Sequence, residues 1–235
     1  MESAHDTYRP VALVTGANRG IGLELCRQLA ALGYEVVLGA RDAAKGRQAA
    51  SALGEQVTAC ELDVAVQASV DAAAAWLDER YGRCDVLINN AGIDYDTDAT
   101  AAGADLSRVQ RALETNLLGA WRCTLALLPL LRHSARARIV NVSSREASLT
   151  DMGAGSPGYH VGKAALNALT RTLAAELRDE RILVNAASPG WTATDMGGSG
   201  GRPISDGAAS VLWAVTLPDD GPTGGFFQDG QPLAW

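Results

Sequence analysis

Val11-Ala-Leu-Val-Thr15 runs without a break into Gly16-Ala-Asn-Arg-Gly-Ile-Gly22. The first five residues form a short apolar run, the pattern of a buried strand. Beyond the glycines, Leu23, Leu25, Leu29 and Leu32 recur at roughly helical spacing as far as Gly33. Strand, glycine-rich turn and helix therefore follow one another. The glycines let the turn bend and bring the backbone close to a ligand. The helix N-terminus behind them favours a pyrophosphate. The spacing is Gly-x-x-x-Gly-x-Gly, with glycines at 16, 20 and 22.

Outward from this unit the pattern repeats. Strands are expected over 35–39, 57–62, 86–88, 138–142 and 182–186, with a last short one over 224–227. Helices are expected after Asp42, over 67–81 with Gly82 as its stop, and over 107–131 as one long helix. A further helix opens at Pro157, and a short one spans 204–217. Strands alternating with helices throughout imply about seven strands in a doubly wound, mostly parallel α/β sheet of Rossmann type, with helices on both faces. Residues 1–9 read as a flexible polar tail, and 10–235 as a single dinucleotide-binding and catalytic domain. In such sheets ligands bind beyond the carboxyl ends of the strands. The polar and glycine groups at those ends should converge on one cleft: Gly16 to Gly22, Arg41, Asp63, Asn89 to Gly92, Ser144 and Pro189-Gly190.

Bulk properties narrow the function. The 235 residues are 47% apolar and 20% charged, with net charge −7 and no basic run, which argues against nucleic acid and anionic membrane surfaces. The first ten residues lack the apolar core of a signal peptide. The longest apolar stretch, 117–131, is broken by Arg122 and Pro129, so no membrane span is expected. Cys26, Cys60, Cys84 and Cys123 are widely spaced and read as free thiols in a reducing cytoplasm. Asp94, Asp96 and Asp98 alternate like the start of a calcium loop, but Ala99 and Asp105 stand where glycine and glutamate are needed. They read as a solvated loop at the substrate mouth. His5, His133 and His160 have no metal-like spacing, and His160 reads as structural. No metal is expected.

The helix opening at Pro157 carries Tyr159 and Lys163, four apart and so on one face. An ammonium beside a phenol favours phenolate and should lower its pKa from about 10. Such a tyrosine gives or takes a proton at an alcohol oxygen. Alone, the pair reads as two surface side chains.

With its neighbours it does not. Thr15-Gly-Ala-Asn-Arg-Gly-Ile-Gly22, Asn89-Asn-Ala-Gly92, Asn116, Ser144, Tyr159-x-x-x-Lys163 and Pro189-Gly190 with Thr194 stand in the order of the short-chain dehydrogenase/reductase family, which the chain resembles over nearly its whole length. Leu149-Thr-Asp-Met152 and Pro218-Asp-Asp-Gly-Pro-Thr-Gly-Gly225 look most like its carbonyl-reductase-like branch. The resemblance implies a catalytic set: Tyr159 as general acid, Lys163 lowering its pKa and holding the nicotinamide ribose, Ser144 bonding the carbonyl oxygen, and Asn116 holding a water that leads to solvent. Ser143 competes with Ser144, and the family places the serine second in such a pair. Gly162 stands where the family usually has serine.

The same resemblance implies the cofactor contacts. Gly16, Asn18, Gly20, Ile21 and Gly22 would hold the pyrophosphate, and Arg19 in the same turn would take one side of a 2′-phosphate on the adenosine ribose. Asp63 and Val64 would meet the adenine, and Asn90, Ala91 and Gly92 the ribose. Pro189, Gly190, Thr192 and Thr194 would face the nicotinamide. Sites for NAD carry an acid about 20 residues past the glycine turn. Here that count reaches Ala40 and then Arg41, which would bind a 2′-phosphate, so NADP(H) is expected. Asp42 is close by and is explained as a helix cap.

Glycines between Thr194 and Ser205 leave little apolar surface for a lid. An open substrate site is expected, bounded by Tyr95, Met152 and Trp191. Arg145 and Glu146 either enter it or form a solvated pair, the second being favoured. The expected activity is NADPH-dependent reduction of a ketone or aldehyde to the alcohol, with NAD-linked alcohol oxidation and a noncatalytic nucleotide sensor as rivals. The family also implies a homo-dimer or homo-tetramer.

Overall fold

A computed structural model describes residues 8–235. The tail expectation for residues 1–7, and His5 with it, lies outside the described residues. Tyr8 and Arg9 are anchored, Tyr8 through its hydroxyl to Asp85 and Arg9 to Glu35.

Eight strands form one sheet: β1 Val11–Val14, β2 Glu35–Ala40, β3 Val57–Glu61, β4 Val86–Asn89, β5 Arg138–Val142, β6 Leu183–Ala187, β7 Phe226–Gln228 and β8 Gln231–Pro232. Their order is 3-2-1-4-5-6-7-8. Strands β1 to β7 pair in parallel, and β8 turns back antiparallel on β7. The eighth strand exceeds the expected seven. Its signal is Asp229-Gly230, both at positive φ (53° and 74°), the pair that a two-residue hairpin requires.

The helices are α1 Gly20–Ala31, α2 Ala43–Ser51, α3 Gln67–Tyr81, α4 Leu106–Leu113, α5 Ala120–Arg132, α6 Pro157–Glu176 and α7 Ile204–Val215. Strand residues alternate between two cores, because successive side chains point to opposite faces. Val11, Leu13 and Leu87 pack under α3, α5 and α6 with Leu77, Leu127 and Leu166. Ala12, Val14 and Ile88 pack under α1 and α7 with Leu25, Leu29 and Val211.

The long helix expected over 107–131 is not continuous. Glu114–Gly119 is a π-helical turn between α4 and α5. Apolar periodicity runs through both flanks and conceals it. The wider turn shifts the register where Asn116 bonds to the neighbouring loop. Gly119 packs on Val64, where a Cβ would come within 2.6 Å of its side chain.

Candidate active site

The glycine turn is clamped by the chain that leaves β4. Thr15 Oγ1 accepts the N–H groups of Asn90 and Ala91, both at 3.0 Å. Asn90 Nδ2 donates to Thr15 O at 2.8 Å. A Cβ on Gly16, at φ +63°, would lie 2.8 Å from Ala91 Cα, and one on Gly22 would lie 2.5 Å from Asn90 Nδ2. Both positions therefore exclude a side chain. Part of what the Asn89-Asn-Ala-Gly motif does is hold this turn.

Around the turn lies a cleft of about 730 Å³, within the usual size of ligand pockets. It brings together all six residues named from the glycine turn, with Arg41, Asp63, Val64, Asn90, Ala91, Gly92, Tyr159, Lys163, Pro189 and Thr194. Asn116, Ser144, Gly190 and Thr192 do not line it. Thr192 is 4% exposed, and its hydroxyl is within 3.1 Å of the Pro189 and Gly190 carbonyls. It shapes the turn and does not face the cleft. Lys45, Asp195 and Met196 also line the cleft. Sequence spacing gave no sign of them, although Lys45 sits one helical turn after the recognised Arg41.

At the β2 end of the cleft stand three cations. Arg41 is exposed, Lys45 Nζ lies 3.7 Å from Asp42, and Arg19 pairs with Asp195 across the mouth. Asp42 is committed as the cap of α2, accepting Lys45 N–H at 3.0 Å. That capping holds its carboxyl below the usual carboxylate range. A glycine cradle in which Gly16 and Gly22 have no room for a side chain, with cations at one end and a half-buried phenol and a buried amine at the other, fits a phosphorylated dinucleotide.

Helix α6 carries the phenol and the amine. Lys163 is 4% exposed. Its Nζ donates to Val142 O at 2.7 Å and lies 5.9 Å from the Tyr159 ring centroid. Burial lowers the Lys163 pKa to about 8. Tyr159 departs from the expected lowering. Its pKa is pushed up to about 12, chiefly by burial, while the neighbouring Ser144 hydroxyl lowers it and the Glu146 charge raises it. Desolvation disfavours the phenolate more than its surroundings favour it.

Ser143 and Ser144 take opposite directions. Ser143 Oγ donates to Asn167 Oδ1 at 2.7 Å and is buried. Ser144 is half-buried beside Tyr159. Asn116 bonds both ways with Ile93, accepting its N–H at 2.8 Å and donating to its carbonyl at 3.0 Å. It thereby ties the π turn to the loop after Gly92.

The acidic loop is not simply solvated. Asp96 is 2% exposed. It accepts Gly158 N–H at 2.9 Å and Tyr159 N–H at 3.1 Å. Ser156, at φ 45°, supplies no side-chain cap to α6, so Asp96 caps the helix from outside. Asp94 and Asp98 both bond to Arg108.

On the open side of Tyr159, the Tyr95 ring meets it edge-on with centroids 5.0 Å apart. Tyr95 donates to Glu146 Oε1 at 2.6 Å, and His160 Nε2 lies 3.3 Å from Oε2. Arg145 and Glu146 are therefore not a solvated pair, since Arg145 reaches instead toward Asp151 at 3.9 Å. His160, read as structural, is half of that carboxylate's support. Met152 is half-buried. Trp191 is 67% exposed and lies against Gly200, its Nε1–H donating to Gly197 O at 2.8 Å. The segment 190–203 carries no helix and is held by bridges from Thr192 to Arg202 and from Thr194 to Gly198. Among the described residues no cluster of metal-binding groups occurs, and no helix is long and apolar enough to cross a membrane.

Residues 10–202 match the family described as short chain dehydrogenase. The chain belongs to that family. Within it the short-chain dehydrogenase sits in the carbonyl-reductase-like branch. It is 32% identical to carbonyl reductase (NADPH) 1 of Sus scrofa, over 96% of this chain and 94% of that one. It is also 32% identical to the (+)-neomenthol dehydrogenase of Arabidopsis thaliana, over 97% and 98%. Among solved structures, the NADPH-bound carbonyl reductase from chicken fatty liver superposes with a TM-score of 0.88 at 32% identity, covering 97% of this chain and all of that one. The short-chain dehydrogenase is thus an oxidoreductase of a family that uses nicotinamide cofactors.

Proposed function

We propose that this enzyme reduces a ketone or aldehyde to the alcohol with NADPH. The observation that carries the reading is Tyr159, a half-buried phenol beside Ser144 that opens onto the same cleft as Lys163. The names of the relatives, carbonyl reductases among them, point the same way.

Ser144 Oγ holds the carbonyl oxygen and, with Tyr159, stabilises the charge that develops there. Tyr159 gives that oxygen its proton. Lys163, fixed by Val142 O, holds the ribose side of the cofactor and stands ready to stabilise the phenolate left behind. Asn116 keeps the loop after Gly92 in register with α6 and orders the path by which the proton is replaced. A bound nicotinamide supplies the hydride. Gly16 to Gly22 hold its pyrophosphate, and Asp63, Val64 and Asn90 to Gly92 the adenosine. Pro189, Gly190 and Thr194 bound the nicotinamide end. Arg41, Lys45 and Arg19 hold the 2′-phosphate; of the acids beside them, Asp42 is occupied with its helix and Asp195 pairs with Arg19. Tyr95 and Glu146 line the substrate side, with Met152 and Trp191 farther out. Self-association through the exposed Trp121 and Leu125 of α5 and a cytoplasmic setting belong to the same proposal.

The test is absorbance at the reduced nicotinamide band with NADPH or NADH across ketones, ketoesters, quinones and aldehydes. Consumption of NADPH well above that of NADH is expected. Faster turnover with NADH would overturn the cofactor assignment, and turnover with neither would overturn the activity.

A further inference from the structure

We propose that Glu146 makes the substrate site selective for carbonyl compounds bearing a cationic group, such as a protonated or quaternary amine. The inference rests on the carbonyl-reductase reading and adds the substrate class to it.

Glu146 follows Ser144 by two residues on the short turn Arg145–Ala147, and its N–H points at Ser144 Oγ, 3.3 Å away. Its carboxylate is fixed in place by the Tyr95 hydroxyl on one oxygen and His160 on the other. Tyr95 packs in turn on Tyr159. The anion is thus held beside the two groups that receive the carbonyl oxygen, and it stands outside the cofactor cleft. Its side chain keeps 41% of its surface open. Among the described residues no lysine or arginine pairs with it. Arg145 reaches toward Asp151, and Lys163 donates to Val142 O. The one basic partner is the His160 imidazole.

A substrate whose carbonyl rests on Ser144 and Tyr159 comes close to this carboxylate, which sits two residues beyond Ser144. A cation there gains a charge partner already oriented by two hydrogen bonds, and the Tyr95 ring beside it offers a further attraction. A substrate carboxylate would be repelled.

The test compares two methyl ketones, one ending in a trimethylammonium group and the other in its neutral tert-butyl isostere. Quaternary nitrogen keeps its charge at every pH. At mildly alkaline pH the enzyme should favour the ammonium ketone in kcat/KM by about fivefold to tenfold. Glu146→Gln, which keeps an acceptor for Tyr95, should bring the ratio to about one. A ratio that Glu146→Gln leaves unchanged overturns the proposal, even if both rates fall, because equal losses mark a merely supporting side chain. If the native enzyme turns over neither ketone, the carbonyl-reductase reading is what fails. The decision then passes to calorimetric titration of both ketones into the enzyme with NADPH present. Salt-sensitive binding of the ammonium ketone that Glu146→Gln weakens to the same extent supports the proposal. Equal affinity for the two ketones, or no binding, overturns it.

Discussion

At Tyr159 the cost of holding a phenolate out of water outweighs the help given by Ser144, so the phenol stays protonated through the neutral range, with its pKa raised to about 12. Reduction needs the protonated form and alcohol oxidation needs the phenolate. Rates measured in both directions across pH should therefore diverge, reduction holding through neutrality and oxidation climbing toward alkaline pH. One optimum shared by both directions would contradict this role. Lys163 carries the opposite shift. In the unfolded chain it takes up its proton below 10.5, but in the fold only below about 8. Between those values the unfolded state binds more protons, so the stability of the folded state rises with pH. Lys163→Met removes this slope. Urea unfolding of the two proteins should show their difference changing in favour of lysine, by up to about 3 kcal/mol, as pH rises across that window. A constant difference would place Lys163 in a wetter site than its 4% exposure describes.

Helix α6 owes its start to a residue some sixty positions upstream. Two of the first N–H groups of a helix, Gly158 and Tyr159, end on the buried carboxylate of Asp96, where a negative charge also meets the positive end of the helix dipole. Asp96→Ala leaves both donors unpaired in the protein interior. It should cost about 1–3 kcal/mol of stability, read as a lower melting temperature, and should lower kcat because Tyr159 loses its backbone anchor. Unchanged kcat would confine Asp96 to a structural part. No spacing rule links Asp96 to Tyr159, since the contact depends on how the loop after β4 returns over α6. What could be read from the chain was what repeats locally: the run into the glycine turn, the alternation of strands and helices, and Tyr159 four before Lys163. The π turn at Glu114–Gly119 was concealed because its flanks keep one helical period. The Tyr95–Glu146–His160 assembly joins three separate segments. The lowering of the Tyr159 pKa expected from Lys163 failed for a related reason: proximity follows from spacing, but burial follows from the whole fold.

On the scale of the molecule, the parallel sheet directs the ends of its central strands to one edge, and the cleft there joins the cations around β2 to the phenol on α6. A ligand held along that edge should stabilise the entire fold. NADPH at a hundredfold excess over its Kd should raise the melting temperature by about 5–10 °C. Arg41→Asp should remove most of that rise while leaving or increasing the rise given by NADH. An equal response to both cofactors in the native protein would remove the 2′-phosphate from the account. The central claim is that Tyr159 is the proton donor of an NADPH-dependent carbonyl reductase, and the most direct measurement is the rate at which Tyr159→Phe consumes NADPH with a ketone that the native enzyme reduces. The account predicts a fall of at least about a hundredfold with NADPH binding retained. A variant that binds NADPH and keeps most of its turnover would contradict it.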